Sequence, residues 1–227
     1  SGEEFGNRPA YRYKTDIPGK FREITHKEFR EDINCLGTAL VDMGLKDKRI
    51  AVISENRYEW GMAYLAVITG TGVVVPLDKA LPDNEIESLV IRSEVEAIFY
   101  SKAYDNIMKE IRTKNNTNVK YFISMDLEKE ENGIYSQTEL VSRGKKLIEE
   151  GNTEFLNAKI DNEKMASMLF TSGTTAMSKA VMLSHKNICA NIFDIGSTIA
   201  IDKTNVFLSF LPLHHTFECT VGFLFSL

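Results

Sequence analysis

Cysteine, proline and tryptophan are scarce in this sequence, at 3, 5 and 1 of 227 residues. Cys35, Cys189 and Cys219 lie far apart, are odd in number and form no CxxC pair. That spacing argues against a disulfide framework and a thiolate zinc site, and makes a reducing, cytoplasmic setting the expectation. A basic excess is missing too: the formal net charge is −5, so nothing suggests a nucleic-acid surface. Clean apolar runs of membrane-spanning length are also lacking. The stretch 62–77 is broken by Gly70 and Gly72, and 207–227 carries Pro212, His214, His215 and Glu218. Peripheral association with a membrane stays open. Residues 1–9 are polar and contain no signal-peptide core.

What is present is ordinary for a globular protein able to bury a sizeable core, with 43% apolar and 26% charged residues. Thr25 and Glu28 form a capping-box pattern, after which Phe29, Ile33, Leu36, Leu40 and Met43 recur at helical spacing until Gly44 stops the helix. Short apolar runs at 49–54, 72–77, 97–100, 119–124, 165–171 and 180–183 read as strands. Helical patterns fill 57–69, 82–90, 104–112 and 137–150, and Ser184 caps a further helix running to about Ile199. Another strand is expected at 206–211. The alternation predicts an α/β fold with a mostly parallel sheet flanked by helices. Residues 1–125 read as a first α/β part, 126–162 as a polar surface excursion and 163–227 as the start of a second α/β part.

The segment Phe170-Thr171-Ser172-Gly173-Thr174-Thr175-Ala176-Met177-Ser178-Lys179-Ala180-Val181 carries the strongest chemical signal. A strand enters a hydroxyl-rich loop, a lysine follows and a second strand leaves. Hydroxyls and backbone N–H groups around Gly173 make a dense set of donors, and Lys179 adds a full positive charge, which suits an anion. The same composition also fits a polar hairpin turn. A Walker A loop is excluded, because Lys179 lies between Ser178 and Ala180.

The order of these residues resembles the signature loop of the AMP-forming acyl-activating superfamily, [YF]-T-S-G-T-T-G-x-P-K-G-V. Phe170 to Thr175, Lys179 and Val181 match, whereas Ala176, Ser178 and Ala180 stand where Gly, Pro and Gly are usual. Leu211-Pro212-Leu213-His214-His215 is similar to the family's LPLxH block, and Met182 to Asn187 to its continuation into a helix. Upstream, Ile24-Thr25 through Phe29, Glu55-Asn56 with Trp60, and 72–78 sit where early blocks of that family occur. The flavour is that of fatty-acid CoA ligases.

The resemblance implies an ATP-dependent ligase that joins a carboxylate, expected to be a fatty acid, to CoA through an acyl-AMP intermediate. Thr171, Ser172, Gly173, Thr174, Thr175 and Lys179 would then bind the ATP phosphates, with Mg²⁺ neutralising charge. His215, the histidine of the LPLxH block, would lie at the acyl pocket. Without the resemblance, a partly buried structural histidine is the favoured reading of His215. His214, His215, Glu218 and Cys219 fit no familiar zinc spacing, so no metal ligand is assigned. Two other readings remain: an adenylating enzyme that serves an acyl carrier protein, and a non-catalytic nucleotide-binding module. The family's adenine, ribose and Mg²⁺ contacts and its catalytic lysine lie beyond LPLxH. With an apolar run at 223–227, the expectation is an N-terminal piece of a longer enzyme, inactive alone, with no catalytic residue assignable in it.

Overall fold

The computed structural model describes residues 5–15, 17–171, 178–202 and 204–227. Strands β1 (Pro9–Lys14) and β2 (Phe21–Thr25) form an antiparallel pair. They lead directly into helix α1 (His26–Asp42), whose start is the capping box expected from the sequence. The Thr25 hydroxyl accepts from the Glu28 N–H at 3.2 Å, and the Glu28 carboxylate accepts from the Thr25 N–H at 2.8 Å. At its other end Gly44 takes a φ of +78°, a conformation that glycine adopts without penalty.

The central sheet is built from β3 (Lys48–Ile53), β4 (Gly72–Pro76), β5 (Ala97–Tyr100), β6 (Tyr121–Ser124), β7 (Tyr135–Ser136), β8 (Met165–Thr171) and β9 (Lys179–Ser184). Its order is β7-β6-β5-β3-β4-β8-β9, parallel throughout except that β9 runs antiparallel to β8. Side chains alternate across it. Ile50, Val52, Val74, Phe99 and Ile123 enter one core. Ala51, Ile53, Val75, Ile98 and Phe122 enter the other. This two-sided burial explains why the central strands read as continuous apolar runs.

Helices α2 (Tyr58–Ala66) and α5 (Gln137–Glu149) join α1 on the first face. The second face is covered by α3 (Asp83–Ser93) and α4 (Asp105–Lys114). Residues 126–162, read from the sequence as a surface excursion, carry β7, α5 and the buried Phe155. The crossing of α5 over α1 is set by Gly144, where a Cβ would lie 1.7 Å from the Cys35 carbonyl oxygen. The helical pattern at 57–69 is realised as α2 followed by a π-helical turn over Val67–Thr71.

Helix α6 (His185–Thr198) begins at Ser184, whose hydroxyl accepts from the Asn187 N–H at 3.2 Å. The strand expected at 206–211 does not form. Among the described residues it pairs with no neighbour, and Val206, Leu208 and Phe210 are 92%, 81% and 72% exposed. An apolar run becomes a strand only where a ladder partner is available, and here side-chain bonds from Asn56 hold the chain instead. A π-helical stretch, Glu218–Leu224, follows. No helix among the described residues is long and apolar enough to cross a membrane.

Candidate functional site

Open parallel sheets bind ligands outside the carboxyl ends of their strands, where backbone groups and loop side chains point away from the core. Here that edge gathers the chemically capable residues. Glu55 and Asn56 follow β3, Asp78 follows β4, Ser101 follows β5, Asp126 follows β6 and Thr171 ends β8. The edge is tied laterally: the Ser101 hydroxyl donates to Glu55 at 2.7 Å, and Asp126 accepts from the Lys102 N–H at 2.6 Å and from Arg57 at 2.8 Å.

Because β9 runs antiparallel, its first residue returns to the same edge. Thr171 and Lys179 are direct partners in the β8–β9 ladder, and both are exposed. Among the described residues the Lys179 ammonium has no carboxylate partner, so its charge is available to an incoming anion. Ser172, Gly173, Thr174 and Thr175, with Ala176, lie outside the described residues. The base of the hairpin is anchored from α3. Arg92 donates through Nη2 to the Ser178 carbonyl at 2.5 Å, and its guanidinium lies 5.5 Å from the centre of the Phe170 ring. Arg92 carried no signal in the sequence, since an arginine in a last helical turn is ordinary there.

The LPLHH segment crosses the same edge. Leu213 is buried and anchors it, while His215 is exposed. His215 Nδ1 accepts from the Phe217 N–H at 3.3 Å, so in the neutral ring Nε2 carries the proton. His214 turns the other way, placing Nε2 3.1 Å from Asp78 Oδ1. Burial holds its pKa below the ordinary value, with Asp78 pulling the opposite way. Cys219 is buried and its thiol is pushed up to about 12 by that burial, which leaves it unreactive. Among the described residues no group of three histidines, cysteines or carboxylates could hold a metal ion.

The model of one protein family, the AMP-binding enzymes, matches residues 1–227. The chain belongs to this family. The match joins the Thr171–Lys179 hairpin and the LPLHH segment in one lineage, as their shared edge suggests. Among curated proteins, fatty acyl-CoA synthetase A of Dictyostelium discoideum is 30% identical over 211 residues, covering 89% of this chain and 31% of that protein. An acyl-carrier-protein ligase for long-chain fatty acids, AEE15 of Arabidopsis thaliana, is 25% identical and covers 96% of this chain and 32% of its own length. Among solved structures, a long-chain-fatty-acid-CoA ligase from Archaeoglobus fulgidus superposes with a TM-score of 0.81 at 21% identity, covering 99% of this chain and 43% of that one. That likeness supports the α/β fold. The AMP-binding chain thus spans about a third of the length of the curated relatives it matches.

Proposed function

We propose that this chain provides the phosphate-holding side of an ATP-dependent ligase that activates a carboxylate, a fatty acid in the first instance, and passes it to CoA. The observation that carries the reading is the β8–β9 hairpin: it delivers an exposed threonine and an ammonium with no carboxylate partner among the described residues to the carboxyl edge of the sheet, at the two ends of the hydroxyl-rich loop.

A carboxylate resists attack by a thiol because it is anionic and lacks a good leaving group. Activation removes both obstacles. The carboxylate oxygen attacks the α-phosphorus of ATP, the bond to the bridging oxygen breaks and pyrophosphate leaves, giving acyl-AMP. A thiolate then attacks the acyl carbon and AMP departs. In this reading the hydroxyls of Thr171, Ser172, Thr174 and Thr175, the backbone at Gly173 and the Lys179 ammonium hold the β- and γ-phosphates. They stabilise the charge that gathers on leaving pyrophosphate. The exposed Thr171 and Lys179, direct partners in the β8–β9 ladder, fit such a polyanion. Mg²⁺ bound with the nucleotide would neutralise phosphate charge, and no residue of this chain is assigned to it. His215 is placed at the acyl pocket, where it would orient the carboxylate. Residues 1–227 by themselves are taken to form no acyl-CoA.

The test is carboxylate-dependent exchange of labelled pyrophosphate into ATP by the full-length protein containing this chain. Exchange with fatty acids and its collapse in Lys179→Ala are expected. ATP binding without exchange, whatever carboxylate is supplied, would instead favour a non-catalytic module. The likeness to a carrier-protein ligase makes the acceptor a separate question. Supplying free CoA and holo-acyl carrier protein side by side settles it by product, and acyl-CoA is the expected one.

A further inference from the structure

Asn56 lies just past the end of β3, and its side chain spends its amide donors and its acceptor on one distant segment. Nδ2 donates to the Leu211 carbonyl at 2.7 Å and to Ser209 Oγ at 3.2 Å, while Oδ1 accepts from the Leu213 N–H at 3.1 Å. Both donors and the carbonyl are therefore engaged, and only this orientation of the amide satisfies all three partners. Just past the end of the adjacent strand β4, which pairs with β3 through Val52 and Pro76, Asp78 provides a second hold on His214 at 3.1 Å. The same Asp78 oxygen accepts from the Ala80 N–H at 2.8 Å, so its own turn helps to orient it.

The chain before these contacts has little else to hold it, and the chain after them does not reach the core again until Glu218 and Cys219. Leu208 and Phe210 are 81% and 72% exposed on one side, and Phe217 is 57% exposed on the other. Leu213 alone in the segment 209–214 reaches the core. An apolar anchor at one point fixes depth but leaves rotation free. Two polar holds on neighbouring strands remove that rotation.

We propose that Asn56 and Asp78 are positioning residues, a two-point clasp that seats segment 209–214 on the carboxyl edge and thereby aims His215. The aim matters for catalysis only through the placement of His215 at the acyl pocket proposed above. The clasp itself stands on geometry independent of that reading.

The chain contains four histidines, His26, His185, His214 and His215, so imidazole NMR titration resolves each of them. The charged and titratable groups facing His214 are Asp78, Lys79 and His215. Asp78→Asn keeps an acceptor for the Ala80 N–H but removes the negative charge, and the His214 midpoint is expected to fall further. Asn56→Ala releases the segment to water, and the His214 midpoint is expected to rise toward the ordinary value. Midpoints of His26 and His185 unchanged in both variants report that the fold is intact. An unmoved His214 in Asn56→Ala overturns the clasp. If Asn56→Ala fails to fold, Asn56→Leu serves, since it is close in size, adds no charge and loses all three hydrogen bonds; the same upward shift is expected, and its absence overturns the proposal equally.

In the full-length protein, Asn56→Leu is expected to raise the carboxylate KM about tenfold, the scale of one or two lost hydrogen bonds, with the KM for ATP unchanged. Adding His215→Ala should bring no further loss, because the two act through one group. Independent, additive losses overturn the link between clasp and histidine. Should His215→Ala alone leave the carboxylate KM unchanged, the acyl-pocket role of His215 falls, while the NMR shifts still decide the clasp.

Discussion

Strands β3 to β6 and the β8–β9 hairpin belong to one sheet, yet they are covered very differently. Ile50, Ala51, Val52 and Ile53 of β3 are fully enclosed, whereas Val181 and Met182 of β9 are 39% and 67% exposed. The helices repeat the contrast. Helix α1 buries Phe29, Ile33, Leu36, Ala39 and Leu40 among others, while α6 buries Ile188 alone and leaves Phe193 78% exposed. Both helices carry a capping box, so local start signals do not distinguish them. Burial does. The first half is where substitution should register as lost stability. The second holds the hairpin and the LPLHH segment, where substitution should register as lost binding.

The sharpest way to break this division is to disturb the first half without touching its polarity. Leu36→Ala removes a fully buried side chain from the centre of α1 and is expected to cost about 2–5 kcal/mol in chemical denaturation. Gly144→Ala tests the same packing from the opposite sign. Helix propensity favours alanine by about 1 kcal/mol, but the added Cβ would meet the Cys35 carbonyl oxygen at 1.7 Å and force α1 and α5 apart. A net loss of about 1–3 kcal/mol is expected. A stabilised Gly144→Ala protein would show that α5 is not held where the structure puts it.

At the hairpin the expected effect is large in activity and small in stability. Lys179 is exposed, so Lys179→Ala should leave the unfolding midpoint unchanged while lowering carboxylate-dependent pyrophosphate exchange by about 100-fold, the scale for losing one preorganised donor to developing charge. A drop in stability equal to that of Leu36→Ala would erase the distinction between the two halves.

The regions differed as much in legibility as in cover. Central strands such as Ile50–Ile53 and the valines 73–75 were readable because burial on both faces leaves an unbroken apolar run. The caps at Thr25 and Ser184 were readable because their partners lie three residues away. The β1–β2 pair went unread: Arg12, Lys14, Arg22 and Glu23 face solvent and obscure the alternation of Tyr11 and Tyr13. The segment 206–211 was misread because apolar character alone does not supply a ladder partner. Of the candidate site, Thr171 and Lys179 were found by residue order, and the structure makes them ladder partners. The hold of Asn56 on Leu211 spans 155 positions, and a contact so remote leaves no local pattern to read.

Acidity tests the comparison more gently. His26 belongs to the covered half and His185 and His214 to the open one, and burial lowers the pKa of all three from 6.5. The unfolded chain therefore binds protons that the folded chain refuses. Stability from the neutral imidazoles is complete above about 6.5 and is lost as pH falls through the lowered folded values. Asp32, raised from 3.8 by burial, acts in the opposite sense. Thermal unfolding followed from pH ~7.5 to ~5.5 should show a midpoint falling by a few degrees. A flat or rising profile would contradict the burial of these rings, and flattening by His26→Gln would assign part of the slope to the covered half.

The smallest stability effect is expected on the open face, and it separates exposure from importance. Phe193 is 78% exposed, so its ring contributes little packing that folding could lose. Phe193→Ser should shift the unfolding free energy by no more than about 0.5 kcal/mol, the range for surface positions without special contacts. Its effect should appear in association, because Phe193 of α6, Met182 of β9 and Ile199, the residue that follows α6, are all exposed apolar side chains. Light scattering across a concentration series is expected to show weaker self-association for the variant at equal stability. A destabilisation approaching that of Leu36→Ala would mean that α6 is as firmly packed as α1, and the contrast between the two halves would have to be abandoned.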